Sequence, residues 1–436
     1  MILLLLACTG STPKPAGILV ISLDTLRADR LGAYGSTTGL TPNLDRFAAQ
    51  SVVFEDAYAQ ANETLYSHAA LFTGRDPSQL APLDLNFRIP AEVPTLAGIF
   101  RDAGWDTAGF VAGGHLSKVF ELNRGFATYD DQSGWGSLHD TGPKALHWLD
   151  TRNSTRPFLL FVHAYDTHDR YLKPTPFGYA FADPAQTGLG ADLARQVGGV
   201  SQVLDNFYEE SQDFVEKFSL DHPRFDRGRG IQTADPTVKS LSEADKKLLV
   251  ASYDGAVAWM DACFGLFMAG LAQRGLLDQL TIVVLSDHGE ELGEEGVFHH
   301  RYSLTDATTH VPLMVRLPDG KGRRVAGLVG LVDVGPTLLA WAGLRGMESG
   351  ISWVGALKGE TIPGRDFVVS EGALRLLSVR GPQARLTLEG FRTHNPYTAA
   401  VVAVAPVDGR AVRFTGDASA LPALRQDLVN FLEKIP

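Results

Sequence analysis

Three apolar segments of this chain each end in acidic or histidine residues, and they constrain the fold more than any other feature. These continuous runs, rich in β-branched side chains, are residues 17–23, 156–162 and 279–286. Such runs are typical of strands that are buried on both faces of a parallel sheet. Helical patterns alternate with them at residues 41–50, 95–103 and 242–274. The alternation predicts an α/β fold, a doubly wound and mostly parallel sheet flanked by helices.

Polar side chains follow the predicted strands at their carboxyl ends. Asp24 follows the first strand, Asp287 and His288 follow the last, and residues 163–168 follow the middle one. Ligands bind at this edge of open α/β sheets, so we expect these groups to converge there. Carboxylates suit hard divalent ions, and an imidazole shifts the preference toward manganese or zinc, with calcium or magnesium as alternatives. Judged alone, an acid after a strand can equally cap a helix.

Composition limits the class of protein. The chain has 436 residues, of which 44% are hydrophobic and 20% charged, and it is long enough to bury a large core. Its formal net charge of -11 argues against binding to nucleic acid, which usually requires a basic face. Only Cys8 and Cys263 are present, so no disulfide framework is possible, and Cys263 is expected to be a buried thiol.

The first residues resemble an export signal. The apolar leader before Cys8 is too short to span a bilayer, which takes about 20 residues. Leu-Leu-Ala-Cys at residues 5–8 resembles a bacterial lipobox, in which the chain is cut before the cysteine and acylated there, and residues 1–16 would then be signal and tether. We therefore expect an exported lipoprotein of the bacterial cell envelope, attached to the membrane at Cys8. The alternative is an accidental apolar leader.

A hydroxyl group for chemistry comes from residues 64–75, Thr-Leu-Tyr-Ser-His-Ala-Ala-Leu-Phe-Thr-Gly-Arg. Residues 67–72 have the pattern of the first turns of a helix, which places Thr64 at a helix N-terminus, where free N–H groups favour an anion. A nearby cation would lower the pKa of this hydroxyl and neutralise a transferring phosphoryl or sulfuryl group. Thr64 is thus a candidate nucleophile and metal ligand. The alternative is a simple N-cap, and the two roles are compatible.

Four blocks of the chain resemble sulfatase signatures at family-like spacing. They are residues 21–35, 41–45, 64–75 and 286–290, with further similarity at 253–255 and 331–339. The chain therefore resembles the sulfatases of the alkaline phosphatase superfamily over residues 17–370, which implies their fold. In the sulfatase signature a cysteine or serine, converted to formylglycine, occupies the place of Thr64. The β-methyl group of threonine blocks formation of that aldehyde, so Thr64 can act only as an ordinary hydroxyl.

A second departure from the sulfatase pattern lies after the first strand. Sulfatases usually carry two adjacent aspartates there, but Thr25 takes the second place. In this respect the chain is more similar to the phosphoethanolamine transferases and lipoteichoic acid synthases. Their pattern is an acid followed by threonine, then a nucleophilic threonine, then an Asp-His pair. The resemblance implies that one manganese or zinc ion is bound by Asp24, Thr64, Asp287 and His288.

The resemblance also implies roles for several histidines. His68 replaces the signature arginine, His300 lies near the usual substrate-binding lysine or histidine, and His168 belongs to a block like the family's Asp-Pro-His. We expect these three to act catalytically, by donating to anionic oxygens or protonating a leaving group, with a charge that depends on pH near neutrality. His299 and Arg301 are predicted to bind substrate. The acidic residues 290–295 are most simply a solvated loop.

The domain prediction is a catalytic domain at 17–348 with a cap insertion at about 177–240, followed by a small α+β subdomain at 349–436. The C-terminal prediction includes strands at 366–370 and 399–405 and a helix at 421–434. The leading functional hypothesis is a metal-dependent hydrolase or transferase that acts on phosphate esters, of the phosphodiester type, through Thr64. The alternatives are a sulfuric ester hydrolase and a non-catalytic, lipid-anchored binding protein. The substrate would be a small-molecule, lipid or glycan ester.

Overall fold

The structure is a computed structural model. Its described residues are 15–83, 87–168, 171, 173, 174, 177, 243–294, 298–301, 303–347, 349–362, 364–372, 376–389, 411–416, 419, 422–424, 426 and 427. Predictions that fall outside these residues are the lipobox at Cys8, the cap beyond residue 177, the strand at 399–405 and most of the terminal helix.

Eight of the strands form one central sheet. In chain order the strands of the main region are β1 Gly17–Leu23, β2 Val52–Tyr58, β3 Asp106–Phe110, β4 Thr128–Asp130, β5 Phe158–Ala164, β6 Leu280–Leu285, β7 Glu291–Leu292, β8 Phe298–His299, β9 Leu313–Arg316 and β10 Arg323–Gly330. The order across the sheet is β10-β2-β9-β6-β1-β5-β3-β4, while β7 and β8 pair separately. Only β9 runs antiparallel to its neighbours in this sheet. The predicted mostly parallel sheet is confirmed.

Helices cover both faces of the sheet. They are α1 Pro42–Ala48, α2 Thr64–Thr73, α3 Leu96–Asp102, α4 Leu138–Thr151, α5 Glu243–Gln273, α6 Asp306–Thr309, α7 Val334–Trp341 and α8 Val354–Leu357. Apolar residues of α1, α4 and α5 share one hydrophobic core, and those of α2, α3 and α7 share another. The predicted doubly wound arrangement follows from these two cores.

Strand β1 lies at the centre of this arrangement. Its seven residues are all buried, and alternate side chains enter opposite cores, Ile18 and Val20 on one face and Leu19 and Ile21 on the other. This alternation explains the continuous apolar run, because neither face of the strand meets water. In register, Ser22 pairs with β5 on one side and β6 on the other. The carboxyl ends of the three strands are therefore level.

The long helix α5 is a core helix. Residues Leu249–Gln273 are long and apolar enough to cross a bilayer by composition, with a mean hydropathy of 1.5. Half of that apolar window is buried inside the protein, where α5 packs against α1 and α4. Cys263 lies on this helix as the predicted buried thiol, and burial raises its pKa to about 12.

A second, antiparallel sheet follows the main one in sequence. Its strands, in spatial and chain order, are β11 Val368–Gly372, β12 Leu376–Arg380, β13 Ala384–Glu389 and β14 Ala411–Gly416. The backbone N–H of Glu371 donates to the carbonyl of Gln60 at 2.8 Å, and the Ser370 hydroxyl donates to the carbonyl of Ala59 at 2.6 Å. The predicted small antiparallel region is confirmed, and these bonds join it to the loop that precedes α2.

Candidate active site

The strand ends bring together three of the predicted metal ligands. Asp24 follows β1, and Asp287 and His288 follow β6, its neighbour in the sheet. One side-chain donor atom from each residue lies within 4.8 Å of the others, and all three side chains are fully buried. We call Asp24, Asp287 and His288 the acid–histidine cluster. Level parallel strands account for this convergence.

Several hydrogen bonds hold Asp24 in place, but one of its carboxylate oxygens takes part in none of them. Its Oδ2 atom accepts a hydrogen bond from the Thr64 hydroxyl at 3.1 Å and lies 3.2 Å from Nε2 of His163. The backbone N–H donates to the carbonyl of Ala164 at 3.0 Å, and the backbone carbonyl accepts from the Thr167 hydroxyl. The other carboxylate oxygen, Oδ1, has no hydrogen-bond partner among the described residues.

Asp287 and His288 complete the cluster in a similar way. The backbone N–H of Thr25 donates weakly to Asp287 Oδ1 at 3.4 Å, while Oδ2 is buried without a hydrogen-bond partner in the described part of the chain. His288 Nδ1 lies 3.0 Å from the carbonyl of Gly289, a contact that requires a proton on Nδ1. In the neutral ring, Nε2 then carries the lone pair on the side of Asp287 and Thr64.

These donors fit a divalent cation. Two buried carboxylate oxygens without hydrogen-bond partners and one imidazole lone pair converge, and a hydroxyl lies beside them. Burial raises the pKa of Asp24, and the neighbouring Asp287 carboxylate raises it further. A cation would remove this repulsion, and the mixed oxygen and nitrogen ligands suit the predicted manganese or zinc. The identity of the metal stays a prediction.

Thr64 is the first residue of α2, and its hydroxyl faces the cluster. Oγ1 lies 3.1 Å from Asp24 Oδ2 and 3.4 Å from His288 Nε2. Glu63 takes the N-cap position and makes no side-chain cap bond, so the alternative of Thr64 as N-cap is wrong. The helix begins one residue earlier than that alternative requires, and the Thr64 hydroxyl contacts the predicted metal ligands instead.

His68 lies one helical turn after Thr64 and beneath the cluster. Its Nδ1 is 2.8 Å from the Thr64 carbonyl and 3.5 Å from Asp287 Oδ2, and its Nε2 is 3.0 Å from the Ser22 hydroxyl. Burial lowers its pKa to about 4, so the expected change of charge near neutrality does not occur. The side chain is fully buried and holds Thr64, Asp287 and β1 together. This position favours a positioning role over the predicted catalytic one.

His163 belongs to the segment 163–168 that was expected at the ligand edge, but it was given no role of its own. It lies within β5, level with Ser22 of β1, and its Nε2 is 3.2 Å from Asp24 Oδ2. Burial lowers its pKa to about 3, so this side chain is a neutral partner of the carboxylate. The available signal was a histidine inside an otherwise apolar strand, at the end that faces the ligand edge.

The other predicted catalytic histidines lie on the opposite side of the cluster. The His300 ring centroid is 4.4 Å from that of His288 and 5.4 Å from that of His168. Nδ1 of His300 lies 3.0 Å from Glu290 Oε1, which orients the ring. Burial lowers the pKa of His300 well below its usual value, so the expected charge change near neutrality fails here too. His168 is 8% exposed and closes this side of the site.

The acidic stretch after His288 is not simply a solvated loop, so that expectation is wrong. Glu290 and Glu291 are fully buried. Hydroxyl groups of Ser303 and Thr305 donate to Glu291 Oε1, and burial raises the pKa of Glu291 to about 7. Glu294 is half-exposed but accepts from Arg27 Nη1 at 2.6 Å. These partners offset the cost of burying acidic groups.

The predicted substrate-binding residues lie at the rim. Arg301 is 43% exposed, and its Nε is 3.4 Å from Glu63 Oε2. His299 is partly buried, in β8, and has a φ of +74°. The Asn62 amide donates to the carbonyls of His300 at 2.5 Å and of Ser303 at 2.7 Å, which ties this loop to the start of α2. The structure thus brings every predicted site residue to one region, with His299 and Arg301 outermost.

Two further groups near Thr64 escaped the sequence analysis. The hydroxyl of Tyr165 accepts from the backbone N–H of His115 at 3.3 Å, and it neighbours the side chain of Thr64. Burial lowers the pKa of His115 to about 3, and the neighbouring charges include Arg301. Gly114 has a φ of +56°, and a Cβ there would lie 2.6 Å from the Tyr165 hydroxyl. A glycine is therefore required for this approach.

Comparison with known proteins agrees with this fold. The family model "Sulfatase" matches residues 17–344. The delta 4,5-hexuronate-2-O-sulfatase of Bacteroides thetaiotaomicron is 32% identical over 424 residues, which cover 88% of this chain and 82% of that protein. Human iduronate 2-sulfatase is 24% identical over 409 residues, which cover 77% and 70%.

A solved structure has the same fold. The phosphonate monoester hydrolase of Agrobacterium radiobacter superposes with a TM-score of 0.69 at 19% identity, covering 96% of this chain and 95% of that one. The family model spans more than half of the chain, and the hexuronate sulfatase matches most of both proteins. This chain belongs to the sulfatase family.

Proposed function

We propose that this protein is a metal-dependent hydrolase that cleaves phosphate esters, of the phosphodiester type, with Thr64 as the nucleophile. The observation that carries the proposal is the place of the Thr64 hydroxyl, 3.1 Å from Asp24 Oδ2 and 3.4 Å from His288 Nε2. Threonine cannot form the formylglycine aldehyde, so at this position its own hydroxyl oxygen is the side-chain nucleophile available. A phosphonate monoester hydrolase among the structural neighbours supports phosphorus as the reacting centre.

Asp24, Asp287, His288 and Thr64 would hold the divalent ion. When bound, the ion supplies positive charge that lowers the pKa of a coordinated hydroxyl and offsets negative charge on the transferring group. His163 and His68 contact the two carboxylates from below at 3.2 and 3.5 Å and fix their orientation. Neutral partners suit this task, because they leave the negative charge of the cluster for the cation.

The chain's own groups account for both steps of a covalent mechanism. In the first step Thr64 Oγ1 forms a bond to phosphorus while the bond from phosphorus to the leaving oxygen breaks. The Thr64 proton passes along the hydrogen bond to Asp24 Oδ2, and His168 protonates the leaving oxygen. His300, whose pKa burial lowers well below its usual value, stays neutral beside it. In the second step His168 takes a proton from water, the water oxygen bonds to phosphorus, the bond from phosphorus to Oγ1 breaks, and Oγ1 regains its proton from Asp24. An acceptor alcohol in place of water would make the enzyme a transferase.

Two alternatives remain distinct from this proposal. A sulfuric ester hydrolase is supported by the names of the relatives, human iduronate 2-sulfatase among them, and is opposed by Thr64 and Thr25. A non-catalytic binding protein is supported by the loss of the signature arginine at His68. Metal content separates the binding protein from both enzymes, because the enzyme proposals require about one tightly bound ion per chain.

The test compares chromogenic phosphodiesters, phosphomonoesters and sulfate esters with manganese or zinc present. Thr64→Val removes the hydroxyl and keeps the shape, and we expect it to lower phosphodiester turnover roughly a thousandfold or more. Thr73→Val, at the other end of α2, is the matched control, because the Thr73 hydroxyl donates to the carbonyl of Ala69 and accepts from the N–H of Arg75, and neither belongs to the candidate site. Sulfate turnover that survives Thr64→Val would refute the proposal.

We also propose that the reaction takes place at the bacterial cell envelope, with the chain anchored through an acylated Cys8. The support is the lipobox-like sequence at residues 5–8. Metabolic labelling with a radioactive fatty acid should mark the wild type and leave Cys8→Ser unlabelled. Equal labelling of both proteins, or of neither, would contradict the anchor.

A further inference from the structure

Trp135 occupies a backbone conformation that large side chains rarely adopt. Its φ is +57°, in the left-handed region, between Gly134 and Gly136. The surrounding structure holds it there: its N–H donates to the carbonyl of Ala112 at 2.7 Å, and the carbonyl of Gly136 accepts from the N–H of Tyr165 at 2.9 Å. Strain of this kind persists where it serves a site.

Neighbouring side chains connect the indole of Trp135 to Thr64, the candidate nucleophile. Its ring centroid lies 4.8 Å from that of Tyr165 and 5.3 Å from that of His168. Tyr165 in turn neighbours the side chain of Thr64. The aromatic surface therefore begins beside Thr64 and ends at solvent, because Trp135 is 40% exposed.

The segment that carries Trp135 consists of polar residues and glycine. Residues 131–137 read Asp-Gln-Ser-Gly-Trp-Gly-Ser, so the indole has no apolar neighbour in sequence. It is the one strongly exposed aromatic side chain among the described residues, where the other exposed large apolar side chains are aliphatic. An acyl chain needs a continuous apolar surface, which this single ring does not offer. A flat ring among polar groups suits a partner with an apolar face and polar edges.

We propose that Trp135 is the binding platform for the alcohol portion of the substrate, and that this portion is a ring. A sugar ring matches both the indole face and the polar edge, and an aryl ring shares the stacking but not the polar edge. The ring would lie on the indole while the ester group lies at Thr64. This inference rests on the proposed function and narrows its substrate to esters of cyclic alcohols.

The first experiment measures substrate preference. Glucosyl, phenyl and glycerol phosphodiesters that share one leaving group are compared by kcat and KM in the wild type, Trp135→Ala and Trp135→Gly. The glycine variant relieves the positive φ, so it tests the ring even where the alanine variant folds poorly. We expect kcat/KM for ring esters, relative to the glycerol ester, to fall roughly tenfold or more, mainly through KM. The larger loss, glucosyl or phenyl, identifies the ring.

The control and the result that would overturn the proposal use the same ratio, which is kcat/KM for ring esters relative to the glycerol ester. Leu266→Ala removes an exposed apolar side chain from α5, and we expect it to keep the wild-type preference. An unchanged preference in both Trp135 variants would overturn the platform. Equal losses for ring and glycerol esters would overturn it too, because they would show a general defect.

A second experiment separates this inference from the proposed function. Binding of the same esters is measured by calorimetry in Thr64→Val and in Thr64→Val combined with Trp135→Ala. Ring esters should bind roughly tenfold more weakly to the double variant. Trp135-dependent binding without turnover by the wild type would keep the platform and refute the hydrolase. Turnover by the wild type together with binding that does not depend on Trp135 would keep the hydrolase and refute the platform.

Discussion

Two regions of this molecule differ in how completely their buried acids are hydrogen-bonded. Asp333, next to α7, is 1% exposed, and its carboxylate accepts from Arg365 Nε at 2.6 Å, from the N–H of Ile351 at 2.6 Å and from the N–H of Gly330 at 3.0 Å. Asp24 and Asp287 are buried as deeply, but each keeps one oxygen without a hydrogen-bond partner in the described structure. The same chain thus satisfies one buried acid fully and leaves two others incomplete.

The difference lies in the source of positive charge. Arg365 supplies it to Asp333, and Arg27 supplies it to Asp29 and Glu294. Within the described residues, Asp24 and Asp287 form ion-pair contacts only with histidines, and burial lowers the pKa of His68 and His163 to about 4 and 3. Two buried like charges without a counter-charge are costly. The acid–histidine cluster is therefore suited to a cation from outside the chain.

The largest expected effect is on activity. Asp24→Asn and Asp287→Asn keep the shape but remove charge that the cation needs, so we expect kcat/KM to fall roughly a thousandfold or more. The free energy of unfolding of the metal-free protein should not fall, because either change removes the repulsion between the two carboxylates that raises the pKa of Asp24. Ester assays and urea denaturation in chelator check both parts. A strongly destabilised Asp24→Asn would show that the cluster is structural.

The opposite pattern is expected at Asp333. Arg365→Met leaves the buried carboxylate without its guanidinium and should lower the free energy of unfolding by about 3–5 kcal/mol. Arg365→Lys keeps a positive charge and serves as the control, with a smaller loss. Urea denaturation measures stability, and kcat/KM at a temperature where the variant is folded should stay near wild type. A large loss of activity without a loss of stability would contradict the comparison, because it would show that the Asp333–Arg365 pair serves activity rather than stability.

The acid–histidine cluster was open to prediction because its residues follow the clearest sequence signals. β1, β5 and β6 are buried on both faces, so their apolar runs stand out, and level parallel strands place Asp24 beside Asp287 and His288. Local sequence patterns of this kind are sufficient to predict the central strands and the polar residues that follow them.

The rest of the site depends on contacts between distant segments. Glu290 and Glu291 look like part of a charge run, and only the fold shows that His300 and the hydroxyls of Ser303 and Thr305 compensate their burial. The φ of Trp135 is likewise set by bonds to other loops. The antiparallel β9 between β2 and β6 was not foreseen, because strand direction leaves no mark on a short apolar run.

Metal binding should give an intermediate effect. After treatment with chelator, manganese or zinc at about 100 times its dissociation constant should stabilise the wild type by about 2.7 kcal/mol. Thermal unfolding with and without the ion measures the gain. Asp287→Asn should lose most of it, whereas Arg365→Lys should keep it. An equal gain in wild type and Asp287→Asn would place the ion elsewhere.

Glu371 offers a third way to accommodate a buried acid, and a smaller effect. Burial, and then the neighbouring Asp76, raise its pKa from 4.5 to about 8, and the Ser78 N–H donates to it at 3.2 Å. The folded state holds the proton more tightly than the unfolded state, so its contribution to stability is full below about pH 4.5 and is lost as pH rises toward 8.

Glu371→Gln fixes the neutral form. We expect it to stabilise the protein by about 1–2 kcal/mol near pH 9 and by almost nothing near pH 4.5, as measured by urea denaturation at both pH values. Glu92→Gln changes an exposed acid and should shift neither value. A gain that is the same at both pH values would show that the carboxyl is not the source.

The stereochemical course at phosphorus tests the central claim most directly. Attack by Thr64 followed by attack by water is two displacements, each with inversion, and the account predicts net retention in the hydrolysis of an isotopically chiral phosphate ester. Net inversion would show that water attacks the substrate directly, and would contradict a covalent intermediate on Thr64.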